Sequence, residues 1–240
     1  YYSEYLPWIF LDLGDSGKLA VDYALAVSGL NYALLGLSTL VFTIAAISSW
    51  KVTDKIKGYF SLFLMLNATT MGCFVAQDMF LFFVFFEFML LPMYFLIGIW
   101  GGPKREDAAL KFFLYTLLGS VLILIVIIGL GVSAIDPVQS AVQMASTQNL
   151  DLSNMTINQQ ADLVSRMLQE GTLQSQNYVH TFNVNYLKNP ENLIPGSLLS
   201  AFNEQTILGY PARMVFFVFI FIGFLIKLPA VPLHTWLPDA

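Results

Sequence analysis

Cysteine occurs once in these 240 residues, at Cys73, and histidine twice, at His180 and His234. No disulfide can close within the chain, and no cysteine set exists for an iron–sulfur cluster or a structural zinc. Two histidines argue against a di-haem site. A Gly-rich nucleotide loop is also missing, so no flavin or nicotinamide site is expected. Charge is scarce: 11% of residues are Asp, Glu, Lys or Arg, against about 25% in an ordinary soluble domain. The net charge is −5, and the basic residues form no stripe of the kind that binds nucleic acid. An initiating Met and a signal-peptide pattern are both absent before Tyr1, and the last residues, Trp236 to Ala240, follow a break between helices. The chain is therefore expected to be an internal part of a longer protein.

What is abundant is apolar. Hydrophobic residues make up 57% and aromatics 15%, and the mean hydropathy is +0.67. The expected class is an all-α integral membrane protein. Five spans reach the length that a bilayer requires, near residues 25–50, 59–76, 79–100, 110–132 and 211–227. The second and third are almost continuous in hydropathy. As one helix they would measure about 60 Å, twice the hydrocarbon thickness, so the chain must fold back at Gln77-Asp78.

Loop charges orient these spans. Lys51, Lys55 and Lys57 lie in the first loop, and Lys104, Arg105 and Lys111 in the third. The first 24 residues carry Glu4, Asp12, Asp15 and Asp22 with only Lys18. The positive-inside rule puts the two basic loops in the cytoplasm, and residues 1–24 and 135–210 outside. The outer stretch 135–210 is polar. Within it Thr156-Ile-Asn-Gln159 has the capping-box pattern, Ile157, Ala161, Val164 and Leu168 share one helical face, and Gly171 stands where a C-terminal cap would. An amphipathic helix near 157–170 is expected there, lying on its own protein or on a neighbour.

Two charges fall inside the membrane. Glu87 sits about 13 Å into its helix, and Lys227 about 20 Å into the last one, roughly 7 Å deeper. Pro92 denies an amide to the Phe88 carbonyl, which predicts a kink beside Glu87. Pro229 and Pro232 predict that the last helix is broken just after Lys227. An acidic residue at the bilayer centre costs about 3 kcal/mol, and broken helices survive at depth only where protein or a water path surrounds them. Glu87, Lys227 and His234 are therefore the candidate proton-pathway residues. The alternatives are a structural glutamate, a Lys227 that snorkels to headgroups, and a His234 that only donates a hydrogen bond. Asn67, Thr69, Thr70, Thr116 and Ser120 are read as hydrogen-bonding glue between helices.

Three stretches carry a family resemblance: Gln77 to Ile97, Lys111 to Ser120 and Lys227 to Ala240. Together they resemble the antiporter-like subunits of respiratory complex I, most closely the M-type subunits of bacterial NADH–quinone oxidoreductase. The resemblance implies a fold with inverted repeats, of which these five spans would be a part, and a bacterial plasma membrane setting. It also implies a proton-input pair at Glu87 and Lys227. Flavin and iron–sulfur clusters would sit in partner subunits, with no cofactor or metal in this chain, and the partners would be neighbouring membrane-arm subunits. The stretch from Ile135 to about Tyr178 departs from the pattern. Two other readings stay open, a D subunit of an Mrp-type cation/proton antiporter and a non-conducting spacer.

Overall fold

A computed structural model describes residues 2–148, 152, 154–198, 200 and 205–239. Parts of the expected outer stretch (149–151, 153, 199, 201–204) and Ala240 lie outside the described residues. The protein is mostly helical, and among the described residues four helical stretches are long and apolar enough to cross a membrane: Gly29–Lys51, Ile56–Val75, Met79–Trp100 and Arg105–Val132. Their cores are α1 (Gly29–Ser48), α2 (Ile56–Val75), α3 (Met79–Phe88) with α4 (Leu90–Trp100), and α5 (Arg105–Val132). The fifth expected span is a helix of 16 residues, Ala212–Lys227. At about 24 Å it falls short of a full hydrocarbon crossing.

The first 27 residues are not a plain segment before a helix. Tyr2–Asp12 (β1) and Lys18–Val27 (β2) pair antiparallel, and β2 pairs in parallel with Val179–Thr181 (β3). Leu25 to Val27, which hydropathy assigns to the first span, belong to this hairpin. A strand that ends in an apolar run, as β2 does from Tyr23 to Val27, cannot be told from the start of an apolar helix by hydropathy. The boundary is chemical instead: Asn31 accepts from the Ser28 amide and donates to the carbonyls of Ala26 (2.8 Å) and Phe74 (3.0 Å). Pro7 stands on the edge strand, where a missing amide costs no ladder bond, and the register shifts there. At the hairpin turn Gly17 has φ 94°, and a Cβ there would lie 2.2 Å from the Tyr178 carbonyl oxygen, so only glycine fits.

The hairpin sits at one end of the bundle together with the Gln77-Asp78 turn and the 135–194 region. The Gln77 amide donates to Ala24 (2.8 Å), and the Met79 amide to Phe182 (2.9 Å). The loops at 49–55 and 101–104 share the opposite end, where the Trp100 indole donates to the Asp54 carbonyl at 2.9 Å.

Two helices, not one, build the region after α5: α6 (Pro137–Gln148) and α7 (Ile157–Gln169). They share a core of Ile135, Ala141, Met144, Val164, Leu168 and Leu173. The capping box forms, with the Thr156 amide donating to Gln159 Oε1 at 2.8 Å, and Gly171 ends the helix at φ 70°. Val164 and Leu168 are buried and Ala161 is half-buried, but Ile157 is 65% exposed. Ile157 keeps its place on that face, but the face is left uncovered at the first turn of α7. The short helix Val184–Leu187 (α8) and the strand pair Thr206–Ile207 (β4) and Tyr210–Pro211 (β5) lead into α9, Ala212–Lys227.

Candidate functional site

Glu87 is the penultimate residue of α3. The helix is interrupted at Met89 and resumes at Leu90 as α4. Proline at 92 has no N–H for the Phe88 carbonyl one turn back, which accounts for a loosened ladder at this level. Glu87 is half-buried, and its Oε1 is shielded from solvent without a hydrogen-bond partner. The groups facing it are Ser120 of α5 and Lys227 of α9. On its other side opens a groove of about 500 Å³ lined by Phe88, Leu91, Tyr94, Leu110 and Phe113.

α9 brings Lys227 to this place by lying close against α5. A Cβ on Gly223 would come within 2.7 Å of the Gly119 carbonyl oxygen and 2.6 Å of Ile123 Cγ1. Small residues let two backbones touch, which is how helices associate tightly inside a bilayer. The helix ends at Lys227, two positions before Pro229, and the chain continues past Pro232 into a 3-10 turn, Leu233–Trp236. The exposed carbonyls of that end are satisfied individually. Phe224 accepts from the Leu228 amide (2.8 Å), Leu225 from the Ala230 amide (3.0 Å) and Ile226 from the Trp236 indole (2.9 Å). The Trp236 ring packs on Phe112, with centroids 5.1 Å apart. Beyond it Asp239 reaches Lys111 at 2.6 Å.

Lys227 does not form an ion pair with Glu87. Among the described residues the only ion pair within 4 Å is Lys111–Asp239. The Lys227 ammonium donates instead to the Phe86 carbonyl at 2.9 Å and lies 3.1 Å from the centroid of the Phe86 ring. The long lysine stem thus reaches back to the level of Glu87, and the head stops one residue short of the carboxylate. His234 is half-buried, and its Nδ1 is shielded without a partner; it makes no hydrogen bond to Glu87 or Lys227.

The hydroxyls expected to glue helices mostly bond within their own helix. Thr69 donates to Met65 (3.0 Å), Thr70 to Leu66 (2.7 Å), Thr116 to Phe112 (2.7 Å) and Ser120 to Leu117 (2.9 Å). A carbonyl one turn back is always in reach, whereas a partner helix seldom offers a free acceptor. Phe86 is the neighbour of Glu87 and Lys227 that sequence reasoning missed, and Ser120 was read from sequence only as helix glue. Nothing separates Phe86 from the other phenylalanines of its run except its place beside Glu87.

A second group of carboxyls gathers at the hairpin end. Asp78 is fully buried and caps α3, its Oδ1 accepting from the Phe80 and Leu81 amides at 2.9 Å and its Oδ2 from the Asp22 amide at 3.2 Å. Asp136 caps α6 in the same way, accepting from Val138 and Gln139 at 2.9 Å. Burial pushes both carboxyls up, each to about 6, and amide donors pull partly back. Asp22, read from sequence as a loop charge, is fully buried between them, and burial raises it too. Burial and the nearby Asp22 also raise the Tyr5 phenol. Burial lowers His180, whose Nε2 meets the Ser16 carbonyl at 3.1 Å.

The fold and this site define a polytopic helical membrane protein with an acid and a base held at one level of its apolar interior. The chain belongs to the family described as NADH:quinone oxidoreductase/Mrp antiporter, transmembrane, which matches residues 76–169 and 177–240. Residues 170–176 lie between the two matched stretches. The chain is similar to NADH-quinone oxidoreductase subunit M of Rhodobacter capsulatus, 34% identical over 222 residues, which are 92% of this chain and 34% of that protein. It is 31% identical to subunit M of Escherichia coli K12, over 99% of this chain and 36% of that one. With an NAD(P)H-quinone oxidoreductase chain 4 of Trichormus variabilis it shares 31% identity over 93% of its length and 30% of the relative's. The chain thus spans about a third of the length of these relatives.

Proposed function

We propose that this chain is the part of a membrane-arm subunit of NADH:quinone oxidoreductase through which protons enter, with Glu87 receiving the proton and Lys227 setting its affinity and passing charge onward. One observation carries the reading: the Lys227 ammonium hydrogen-bonds the main chain of Phe86, the residue next to Glu87, inside a nearly uncharged helix bundle. Buried charges this costly are retained for a task. Electron transfer and NADH chemistry belong to partner subunits with flavin and iron–sulfur clusters, and this chain binds no redox group. In this reading α9 is a fifth span, and its missing length is made up by the Leu228–Trp236 segment. The hairpin, α6 and α7 lie on the outer face of a bacterial plasma membrane and contact neighbouring antiporter-like subunits. His234 relays protons beyond Lys227.

The test is proton uptake per electron in proteoliposomes holding the assembled complex with the full-length subunit. Glu87→Gln and Lys227→Ala should assemble normally and lose most of the uptake. Wild-type uptake in Glu87→Gln would sink the mechanism. The family description also names Mrp antiporters, which favours a D-type subunit of a cation/proton antiporter as the second reading. Co-purification with flavin and iron–sulfur subunits supports the first, and cation-driven proton exchange without them the second.

A further inference from the structure

Lys227 has two anionic or electron-rich resting places on neighbouring residues of α3, and in this structure it occupies the one that is not Glu87. Its head lies 3.1 Å from the Phe86 ring centroid while donating to the same residue's carbonyl at 2.9 Å. The ring is itself held in place. Phe82 stacks against it at 5.5 Å, and Phe224, one turn before Lys227 on α9, meets it edge-on at 6.1 Å. Consecutive residues of a helix point about 100° apart. Phe86 faces α9 and is buried, whereas Glu87 faces Ser120 and the groove. Glu87 Oε1 meanwhile has no partner.

We propose that Phe86 is a positioning residue whose ring face and main-chain carbonyl form a perch for the Lys227 ammonium, so that the lysine alternates between this perch and the Glu87 carboxylate. On the perch the lysine keeps its charge in an apolar interior without neutralising Glu87, which is free to exchange a proton with the groove side. Off the perch it pairs with the carboxylate and holds it ionised. A cation over an aromatic face away from water is stabilised, while a buried ion pair loses much of its attraction to desolvation, so the perch can compete with the carboxylate. The titratable groups that face Lys227 are Glu87 of α3 and Cys73 of α2. This inference rests on the proton-handling reading of Glu87 and Lys227.

Stepwise fluorination of the ring at position 86 tests it, because fluorine weakens the face of the ring and leaves its shape nearly unchanged. Proton uptake per electron is measured against pH in the assembled complex carrying the full-length subunit, with Glu87→Gln alongside. Each added fluorine should move the alkaline limb of the profile to lower pH, by about one pH unit over the series. Phe86→Leu, which keeps the carbonyl and the bulk, should show the whole shift. A profile that stays put across the series, or a loss equal at every pH, would overturn the perch. If Glu87→Gln is inactive in that same experiment, only the perch falls. If Glu87→Gln also pumps normally, the proton reading falls and takes the perch with it.

Discussion

Asp78 and Glu87 stand at the two ends of the same ten-residue helix, and the protein treats them in opposite ways. Asp78 is fully buried, and its two oxygens accept from the amides of Phe80, Leu81 and Asp22. Glu87 is less buried, yet one oxygen has no partner, and the nearest cation rests on the residue beside it. A carboxylate that terminates a helix is tied down by amides that would otherwise go unsatisfied. One that must gain and lose a proton cannot be tied down so completely, because every fixed donor favours the ionised form. Asp78 is thus capped at both oxygens, whereas Glu87, the proposed proton acceptor, keeps one oxygen unpaired.

The strongest way to break this comparison is to exchange the consequences. Glu87→Gln should leave assembly intact and cut proton uptake more than tenfold, read in proteoliposomes. Asp78→Ala should do the reverse at first, costing about 2–4 kcal/mol through a lost cap and stranded amides. That loss would appear as faster hydrogen exchange at Phe80 and Leu81, with the hairpin loosened from the turn.

A pH dependence sharpens the same contrast. The buried Asp78 carboxyl is pushed up from 3.8 to about 6, so the folded state holds this proton more tightly than the unfolded one. Its contribution is greatest below pH 3.8 and declines as pH rises, until the loss is complete above about 6. The whole decline amounts to about 2–3 kcal/mol. Asp78→Asn, which keeps one oxygen for the Phe80 and Leu81 amides but gives up the Asp22 bond and cannot ionise, should lower stability at every pH and flatten the dependence of those amide exchange rates over this window.

Smaller effects test the supporting packing. Gly223→Ala drives a methyl into Ile123 and the Gly119 backbone and should cost about 1–3 kcal/mol of stability in detergent. Thr156→Ala removes one cap of α7 and should cost about 1 kcal/mol. Ile157→Ser, at an exposed site, should stay within about 0.5 kcal/mol in the same melts.

The membrane helices were readable because burial in lipid demands long apolar runs and leaves little freedom in where they stop. The turn at Gln77-Asp78 followed from length alone, and the capping box of α7 from local chemistry. The hairpin was not readable, because β2 runs into α1 without a change in polarity and its partner β3 lies some 150 positions on. The helix α6 carries a start signal, Asp136 followed by Pro137, that only becomes decisive once Asp136 is seen to accept both amides. At the site, Glu87 and Lys227 stood out because charge in a membrane is rare. Phe86 and Ser120 did not, since their part depends on which face of the helix meets α9.

The C-terminal end of α9 is fastened at several points: Gly223 against the Gly119 backbone, the Trp236 indole on the Ile226 carbonyl, and the tail held at Lys111 by Asp239. These contacts oppose sliding or tilting of the helix as a way to move its terminal charge. The consequence is kinetic. Collective shifts of packed helices take microseconds to milliseconds, whereas a side chain changes rotamer in picoseconds to nanoseconds when exposed. Half-buried, Lys227 is slower than that, but its clock is still set by rotation about its own bonds. In the proposed mechanism, the pace of charge movement at this site would follow the lysine arm and not the helix that carries it.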